Sequence, residues 1–343
     1  MKKIKNKELQ DKIAKKHYIH ELKRKDKHYT GEKKQHHPEI LYTTIPTPKR
    51  FSLIENCDDA LSFFEDFMSL SDKANYLKVD MSKTEELTTE VLLYLISLHK
   101  INKANNTAPN IIIKAPDKYE LRYLMTVSGF SNYFKSKSKV KINNDDIFKI
   151  RDKHTNTKKG IQDAKTCQDA VDFALKFFPG AKFTDDVFFE MFNALAEMMT
   201  NTDNHAYDED GVLRNWYLFG SRIDGGVAFF FFDNGKGIIK TAKKNLIEKA
   251  LNSINFSLKH KNIMRSVLNG EYRSATGKPY RNKGVPEINA FLTRIDVKYP
   301  IILTNKIYTL PQKRDGFEKT KHNFKGTLFT WIITTQEEND EKH

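Results

Sequence analysis

A run of six apolar residues constrains the fold of this chain more than any other feature. Residues 227–232 read Val-Ala-Phe-Phe-Phe-Phe, so a strand formed here is apolar on both faces. Such a strand is typical of the middle of a sheet. The turn sequence Asp224-Gly225-Gly226 lies just before it, and a second strand-like run, 215–220, lies before the turn. The pattern predicts a hairpin whose second strand is central.

The central strand leads directly into a glycine-flanked acid, Asp233-Asn234-Gly235-Lys236-Gly237. Glycines allow the backbone to approach a planar ligand closely. The carboxylate at the strand end is then free to accept a hydrogen bond from an exocyclic amine. A glycine-rich turn alone is weak evidence for a binding site, so a second element is needed.

A polar stripe lies about 30 residues upstream, on a helix. The helix is predicted by apolar residues that recur at intervals of three and four, at Phe188, Phe189, Phe192, Leu195, Ala196 and Met199. Glu197, Asn201 and His205 follow each other at intervals of four and project from about the same side. The stripe is either the solvated face of an amphipathic helix or one wall of a site. Its occurrence together with the downstream acid favours a site.

These elements resemble the GHKL superfamily of ATP-binding domains, which have the Bergerat fold. The stretch Glu197 to Tyr207 is similar to the N-box, in the form Glu-x3-Asn-x3-His-Ala-Tyr of the anti-sigma-factor serine kinases. Asp233 to Gly237 matches the G1 box, Asp-x-Gly-x-Gly. Residues 282–288 resemble the G2 box, although Asn282 replaces its first glycine and Val285 its leucine. The segment 326–330 fits the Gly-Thr strand that closes the site.

The resemblance implies a role for each matching residue. Asn201 would hold Mg²⁺ through its amide oxygen, and Glu197 would act as general base toward water or an acceptor hydroxyl. Asp233 would bind the adenine amino group. Amides around Gly284, at the N-terminus of a helix predicted over 285–293, would bind phosphate. The remaining expected nucleotide contacts are His205, Gly235, Gly237, Lys283 and Thr327, and Lys278 and Arg281 are either phosphate partners or part of a solvated basic segment.

The region 51–134 alternates strand-like and helix-like runs, which predicts a small parallel or mixed sheet carrying helices. It resembles the STAS domain of anti-anti-sigma factors and sulfate transporters, most closely at Val79-Asp80-Met81-Ser82 and over 121–134. In that family the central helix begins with an Asp-Ser-Ser-Gly-Leu segment that carries a phosphoserine. This chain has Thr88-Thr89-Glu90-Val91-Leu92 there, so only Thr89 could accept phosphate. A role as an interaction or packing module is the alternative.

The expected fold class is therefore α/β (α+β), with a small STAS-like α/β domain before a Bergerat sandwich that carries helices on one face of a mixed sheet. The expected boundaries are a basic tail over 1–48, the STAS-like domain over 49–138 and a linker over 139–166. The ATP-binding domain would cover 167–336, and a polar tail would cover 337–343.

The excess positive charge is concentrated in the tail. Residues 1–50 hold 15 Lys or Arg against 6 Asp or Glu, and so account for +9 of the net charge of +14. Such a tail is either a solubilising extension or an arm for nucleic acid or an acidic partner. Cys57 and Cys167 lack neighbouring ligands and predict neither a disulfide scaffold nor zinc. With neither a secretory signal nor a membrane span in the sequence, a cytoplasmic location is expected.

The sequence thus predicts a protein that binds ATP and Mg²⁺. It would hydrolyse ATP slowly, or use it as a switch of conformation and partner binding, or transfer phosphate as a serine/threonine protein kinase. A protein partner is expected through the STAS-like domain, and a homodimer is possible in this superfamily. The alternative is a nucleic-acid-associated, ATP-gated effector that uses the basic tail.

Overall fold

The computed structural model describes residues 42–105, 109–134, 144–153, 161–182, 185–205, 215–246, 256–271 and 284–334. The basic tail up to residue 41 and the C-terminal tail therefore lie outside the described residues. Within the described part, every helix is too short or too polar to cross a bilayer. The fold of this part is mixed α/β.

Residues 42–134 form a small parallel sheet with three helices. The sheet order is β1-β3-β5, and a separate parallel pair joins β2 to β4. This is the β-α-β-α alternation that the sequence predicted. The elements are β1 (Thr43–Pro46), β2 (Arg50–Phe51), α1 (Cys57–Ser71), β3 (Tyr76–Asp80), β4 (Glu86–Leu87), α2 (Thr89–Ala104), β5 (Asn110–Lys114), α3 (Tyr119–Val127) and a 3-10 turn at Phe130–Asn132.

The rest of the described chain is built on a five-stranded sheet in the order β6-β7-β8-β10-β9. The predicted hairpin is present, and its second strand occupies the centre of the sheet. The strands are β6 (Ile147–Asp152), β7 (Trp216–Ile223), β8 (Gly226–Asp233), β9 (Val297–Thr309) and β10 (Phe317–Thr334). The helices are α4 (Ile161–Leu175), α5 (Asp186–His205), α6 (Ile238–Leu246), α7 (Phe256–Leu268) and α8 (Gly284–Leu292).

Both faces of this sheet are covered, which explains why β8 is apolar throughout. Phe229 and Phe231 face a core shared with the helices α4 to α8. Phe232 faces a second core that contains α1 and α2. Tyr94 of α2 lies 5.4 Å from Phe232 and 4.6 Å from Phe324 between ring centroids. Because ten consecutive residues of α2, 89–98, are buried, this part of the helix is covered on all sides.

The two predicted domains therefore share a core, and the described residues from Tyr42 onward belong to one compact unit. Two further expectations differ from the structure. The described strands of the large sheet pair only in antiparallel fashion, whereas a mixed sheet was expected. The range 139–166, expected as a linker, contains β6 and the start of α4.

The sequence does not predict the strand β6, because its alternation of inward and outward side chains is interrupted. Opposite β7 it contains one extra residue between Phe148 and Arg151, a bulge that changes which face its side chains meet. Phe148 accordingly joins the helix-side core, while Ile150 joins the second core. At its end Asp152 pairs with Lys100 of α2, and the next residue, Lys153, pairs with Asp203 of α5.

Candidate functional site

The helix α5 carries Glu197 and Asn201 one turn apart on its half-buried side. Its apolar face, including Leu195, Met198 and Met199, is buried against the sheet and fixes how the helix is rotated. The Nδ2 atom of Asn201 is buried and has no hydrogen-bond partner among the described residues. Leaving such a group unpaired costs about 1–3 kcal/mol, so a partner outside the described chain is expected.

The first residue of α8 lies directly against these two side chains. A Cβ atom built on Gly284 would lie 2.2 Å from Oε1 of Glu197 and 2.9 Å from Nδ2 of Asn201. Only glycine allows this approach without a shift of the carboxylate. The first turn of a helix carries free N–H groups and partial positive charge, so acid, amide and helix terminus meet at one place.

The carboxyl group of Glu197 is electrostatically perturbed. Burial raises its pKa above the ordinary value, and the negative charge of Glu287, also on α8, raises it further. A carboxylate with a raised pKa is a stronger base once it is ionised. This is the property that a general base requires at neutral pH.

The second acid, Asp233, ends β8 and is 9 % exposed. Its Oδ1 accepts a hydrogen bond of 2.8 Å from the N–H of Gly235. Burial raises the pKa of Asp233 to about 6, although hydrogen bonds from Gly235 and Thr327 act in the opposite direction. The side chain is thus a buried hydrogen-bond acceptor with spare capacity.

Asp233 belongs to a row of buried side chains across the end of the sheet, three of which are polar. The row follows from strand register, in which Trp216 pairs with Asp233, Asp233 with Thr327, and Thr327 with Thr304. Residues in register share a face. Their neighbours along the strands, Phe231 and Phe329, lie in the helix-side core, so the row and α5 are on the same side of the sheet.

Two glycines, Gly237 and Gly326, allow the backbone to pass close to this row, and a third, Gly235, bonds to it. Gly235 supplies the N–H that Asp233 accepts. Gly237 has φ +83°, and a Cβ there would lie 2.6 Å from Oγ1 of Thr304. Gly326 has φ +113°, and a Cβ there would lie 2.0 Å from the carbonyl oxygen of Asp233. The G1-like segment and the Gly-Thr strand are therefore in contact.

Sequence reasoning missed two polar residues at this end of the sheet, Thr304 and Asn305. Both are buried on β9 and accept hydrogen bonds from the N–H groups of Ile238 and Ile239 at the start of α6. They follow an apolar strand pattern and match no motif. The sequence feature that could have revealed them is the polar pair Thr-Asn directly after the apolar run Ile301-Ile302-Leu303.

Some expected site residues cannot be placed. Lys283, together with Lys278 and Arg281, lies outside the described residues. His205 is the last residue of α5, and its side chain is also outside the described part. The described residues that do come together are Glu197, Asn201 and Gly284 at one place, and Asp233, Gly235, Gly237 and Thr327 at the other.

Thr89, the only expected phosphate acceptor of the first region, is 5 % exposed at the start of α2. The neighbouring Thr88 hydroxyl is bound to Glu90 and to the carbonyl of Phe51. In this fold the hydroxyl of Thr89 is shielded from a phosphoryl donor.

The residues present fit a magnesium nucleotide at the level of donor chemistry. The oxygen and nitrogen of an amide occupy similar volumes, so the unpaired end of Asn201 can present its oxygen to a hard cation. Within the described residues, groups of three or more His, Cys, Asp or Glu side chains suited to a metal are absent. A cation here would need most of its ligands from phosphate and water.

Comparison with protein-family models and with curated proteins finds no match to this chain.

Proposed function

We propose that the chain binds Mg-ATP between α5, α8 and the end of the five-stranded sheet, and that it hydrolyses ATP or uses it as a switch. The contact of Glu197 and Asn201 with Gly284, on the same side of the sheet as Asp233, carries the proposal. An acid, an amide and a helix N-terminus are suited to bind the phosphate groups of ATP, and a buried carboxylate is suited to bind its adenine.

Each residue then has a definite task. Asp233 accepts a hydrogen bond from the adenine amino group while Gly235 holds its other oxygen in place. The amide of Asn201 binds the cation, which neutralises phosphate charge when bound. Glu197 accepts a proton from the attacking water, and its raised pKa suits that task.

Hydrolysis or switching is favoured over transfer to the protein's own first region. Thr89 is buried, and α2 belongs to a core that includes β8 and β10. Transfer within the chain would require that core to open. A separate protein acceptor stays compatible with the site, whereas the proposed nucleic-acid role rests on a tail outside the described residues.

The test is ATP binding and phosphate release by the full chain and two variants. Glu197→Ala is expected to bind ATP with little change in affinity. Its rate of turnover should fall by at least about a hundredfold, since the variant lacks the general base. Asp233→Ala is expected to weaken ATP binding about ten- to a hundredfold, since it removes a charged hydrogen bond.

Two matched carboxylate removals serve as controls. In Glu190→Ala the lost carboxylate lies on the same helix as Glu197 but pairs with Arg294. In Asp224→Ala it lies at the exposed turn of the β7–β8 hairpin. Neither should alter binding or turnover. Equal ATP affinity of wild type and Asp233→Ala would contradict the proposed site, and phosphate incorporation into an added protein would identify a kinase.

A further inference from the structure

The hydroxyl group of Thr304 joins the two glycine segments beside Asp233. Its Oγ1 accepts a hydrogen bond of 2.9 Å from the N–H of Ile238, at the start of α6. It also donates one of 3.1 Å to the carbonyl oxygen of Gly326. The side chain is fully buried, so water does not compete for either hydrogen bond. One oxygen atom therefore connects the loop 234–238 with the strand segment that contains Thr327.

The side chain of the next residue, Asn305, caps the start of α6 and also bonds to the loop before it. Its Oδ1 accepts from the N–H groups of Ile239 (3.1 Å) and Lys240 (3.3 Å), and its Nδ2 donates to the carbonyl of Lys236 (2.8 Å). Free N–H groups at a helix start are usually capped by a residue adjacent in sequence. Here the capping side chain is 66 residues away from Ile239.

The backbone is shaped to allow these bonds. Asn305 has φ +54°, a left-handed conformation that Asn tolerates better than most residues. Gly237 fits so closely that a Cβ would lie within 2.6–2.8 Å of Thr304 and Asn305. The loop is thus fixed at Asp233 by Gly235 and at α6 by the pair Thr304–Asn305.

We propose that Thr304 and Asn305, here named the β9 clamp, are positioning residues that hold the loop 234–238 and Gly326–Thr327 in the arrangement that binds the purine base. The inference rests on the proposed ATP site and adds to it the residues that preform its base-binding end. The clamp touches the phosphate end at no described residue, so it acts on affinity rather than on the chemical step.

The test compares Thr304→Val with Thr304→Ser in the full chain. Valine has nearly the shape of threonine but makes neither hydrogen bond, whereas serine can make both. We expect Thr304→Val to weaken ATP binding about tenfold, as expected for two lost hydrogen bonds, with kcat at saturating ATP changed less than twofold. Thr304→Ser should restore affinity to within about twofold of wild type.

Hydrogen–deuterium exchange without nucleotide supplies a second readout. In Thr304→Val the amides of residues 236–241 should exchange faster, while those of β3 should not change. Asn305→Gly, which keeps the left-handed backbone accessible, should give the same two effects if the valine variant fails to fold.

Two threonines provide controls for a merely structural effect. Thr309→Val, on the same strand, removes a buried hydroxyl that has no hydrogen-bond partner among the described residues, and it should leave ATP affinity and loop exchange unchanged. Thr47→Val removes hydrogen bonds to the Thr84 hydroxyl and to the carbonyl of Asp80 beside the small sheet, and it should lower stability without altering ATP affinity.

The outcomes separate the two proposals. If wild type binds ATP but Thr304→Val binds it equally well, or if Thr47→Val weakens it as much, the clamp is overturned and the ATP site stands. If wild type itself binds no ATP, the proposed function is overturned, and faster loop exchange in Thr304→Val would then report only local structure.

Discussion

The carboxyl group of Asp233 makes the folded protein less stable at neutral pH than it would be with a neutral side chain. Its pKa is about 6 in the fold and 3.8 in a free chain, chiefly because of burial. Between these pH values the folded protein binds a proton that the unfolded chain has lost. The free energy of unfolding therefore falls as pH rises from about 4 to about 6 and stays lower above that range.

Asp233→Asn should raise stability while it weakens ATP binding. Asparagine can still accept the Gly235 hydrogen bond but carries no charge. Above pH 6 the gain should approach about 3 kcal/mol, from about 1.4 kcal/mol for each unit of pKa shift, and it should vanish near pH 4. Urea unfolding at pH 4.5 and 7.5 measures this, with Asp224→Asn at the exposed hairpin turn as control. A variant less stable than wild type at pH 7.5 would contradict the burial argument.

At the residue scale the sequence predicted the acid and amide of α5 and the acid of β8, because each lies in a local pattern. It did not predict Thr304 or Asn305, whose partners are 22 to 69 residues away in sequence. Contacts at such separation depend on strand register, and local periodicity does not encode register between distant strands.

At the scale of elements, one glycine allows the start of α8 to lie against Glu197 and Asn201. Gly284 has an ordinary helical backbone, so alanine is permitted there and should stabilise the helix by up to about 1 kcal/mol. However, its Cβ would meet the carboxylate of Glu197, the mobile end of a side chain, and would displace it.

Gly284→Ala should therefore keep or raise the melting temperature and lower ATP turnover by roughly ten- to a hundredfold, because the base is misplaced. Ala290→Gly, at an exposed position of the same helix, should do the reverse by lowering stability and leaving turnover unchanged. Thermal melting and phosphate release on the two variants distinguish these patterns. Unchanged turnover in Gly284→Ala would show that Glu197 is not the general base.

The elements α5 and β8, which have the clearest patterns, were predicted, and the strand β6, whose pattern is interrupted, was not. The apolar repeat of α5 and the two-faced apolar run of β8 defined those elements. The sequence predicts a linker at β6 because the bulge breaks the alternation and Lys-, Ser- and Asn-rich residues surround the strand. The pairing of β6 with β7 stabilises it as a strand although its own sequence lacks a clear strand pattern.

At the scale of the whole molecule, the first region is part of the fold that supports the candidate site. The Tyr94 hydroxyl accepts a hydrogen bond of 3.2 Å from the N–H of Lys325, next to Gly326. On the exposed rim of the same contact, Glu65 of α1 bonds to His322 of β10. The back of the base-binding strands is thus covered by α1 and α2, which a reading as two separate domains did not anticipate.

A chain that begins at Asn144 should not fold by itself. It would expose six side chains of the large sheet that are at most 1 % exposed in the whole unit, namely Tyr217, Phe219, Phe232, Leu303, Phe324 and Leu328. At roughly 1.5–3 kcal/mol for each large apolar side chain, the loss approaches the usual stability of a domain.

The full chain should accordingly unfold in one urea transition, detected alike by circular dichroism and by the fluorescence of Trp216 and Trp331. A chain that lacks only residues 1–41 keeps every described element and is the control. Two separated transitions, or a folded chain from Asn144, would show that the two regions are independent.

The opposite charges of Asp152 and Lys153 make β6 intolerant of insertions and deletions. Adjacent strand residues point to opposite faces, so Asp152 reaches Lys100 on one side and Lys153 reaches Asp203 on the other. A length change of one residue upstream in the strand would exchange these directions and set lysine against lysine and aspartate against aspartate. Homologous chains should therefore differ in length before or after this strand, but not within it.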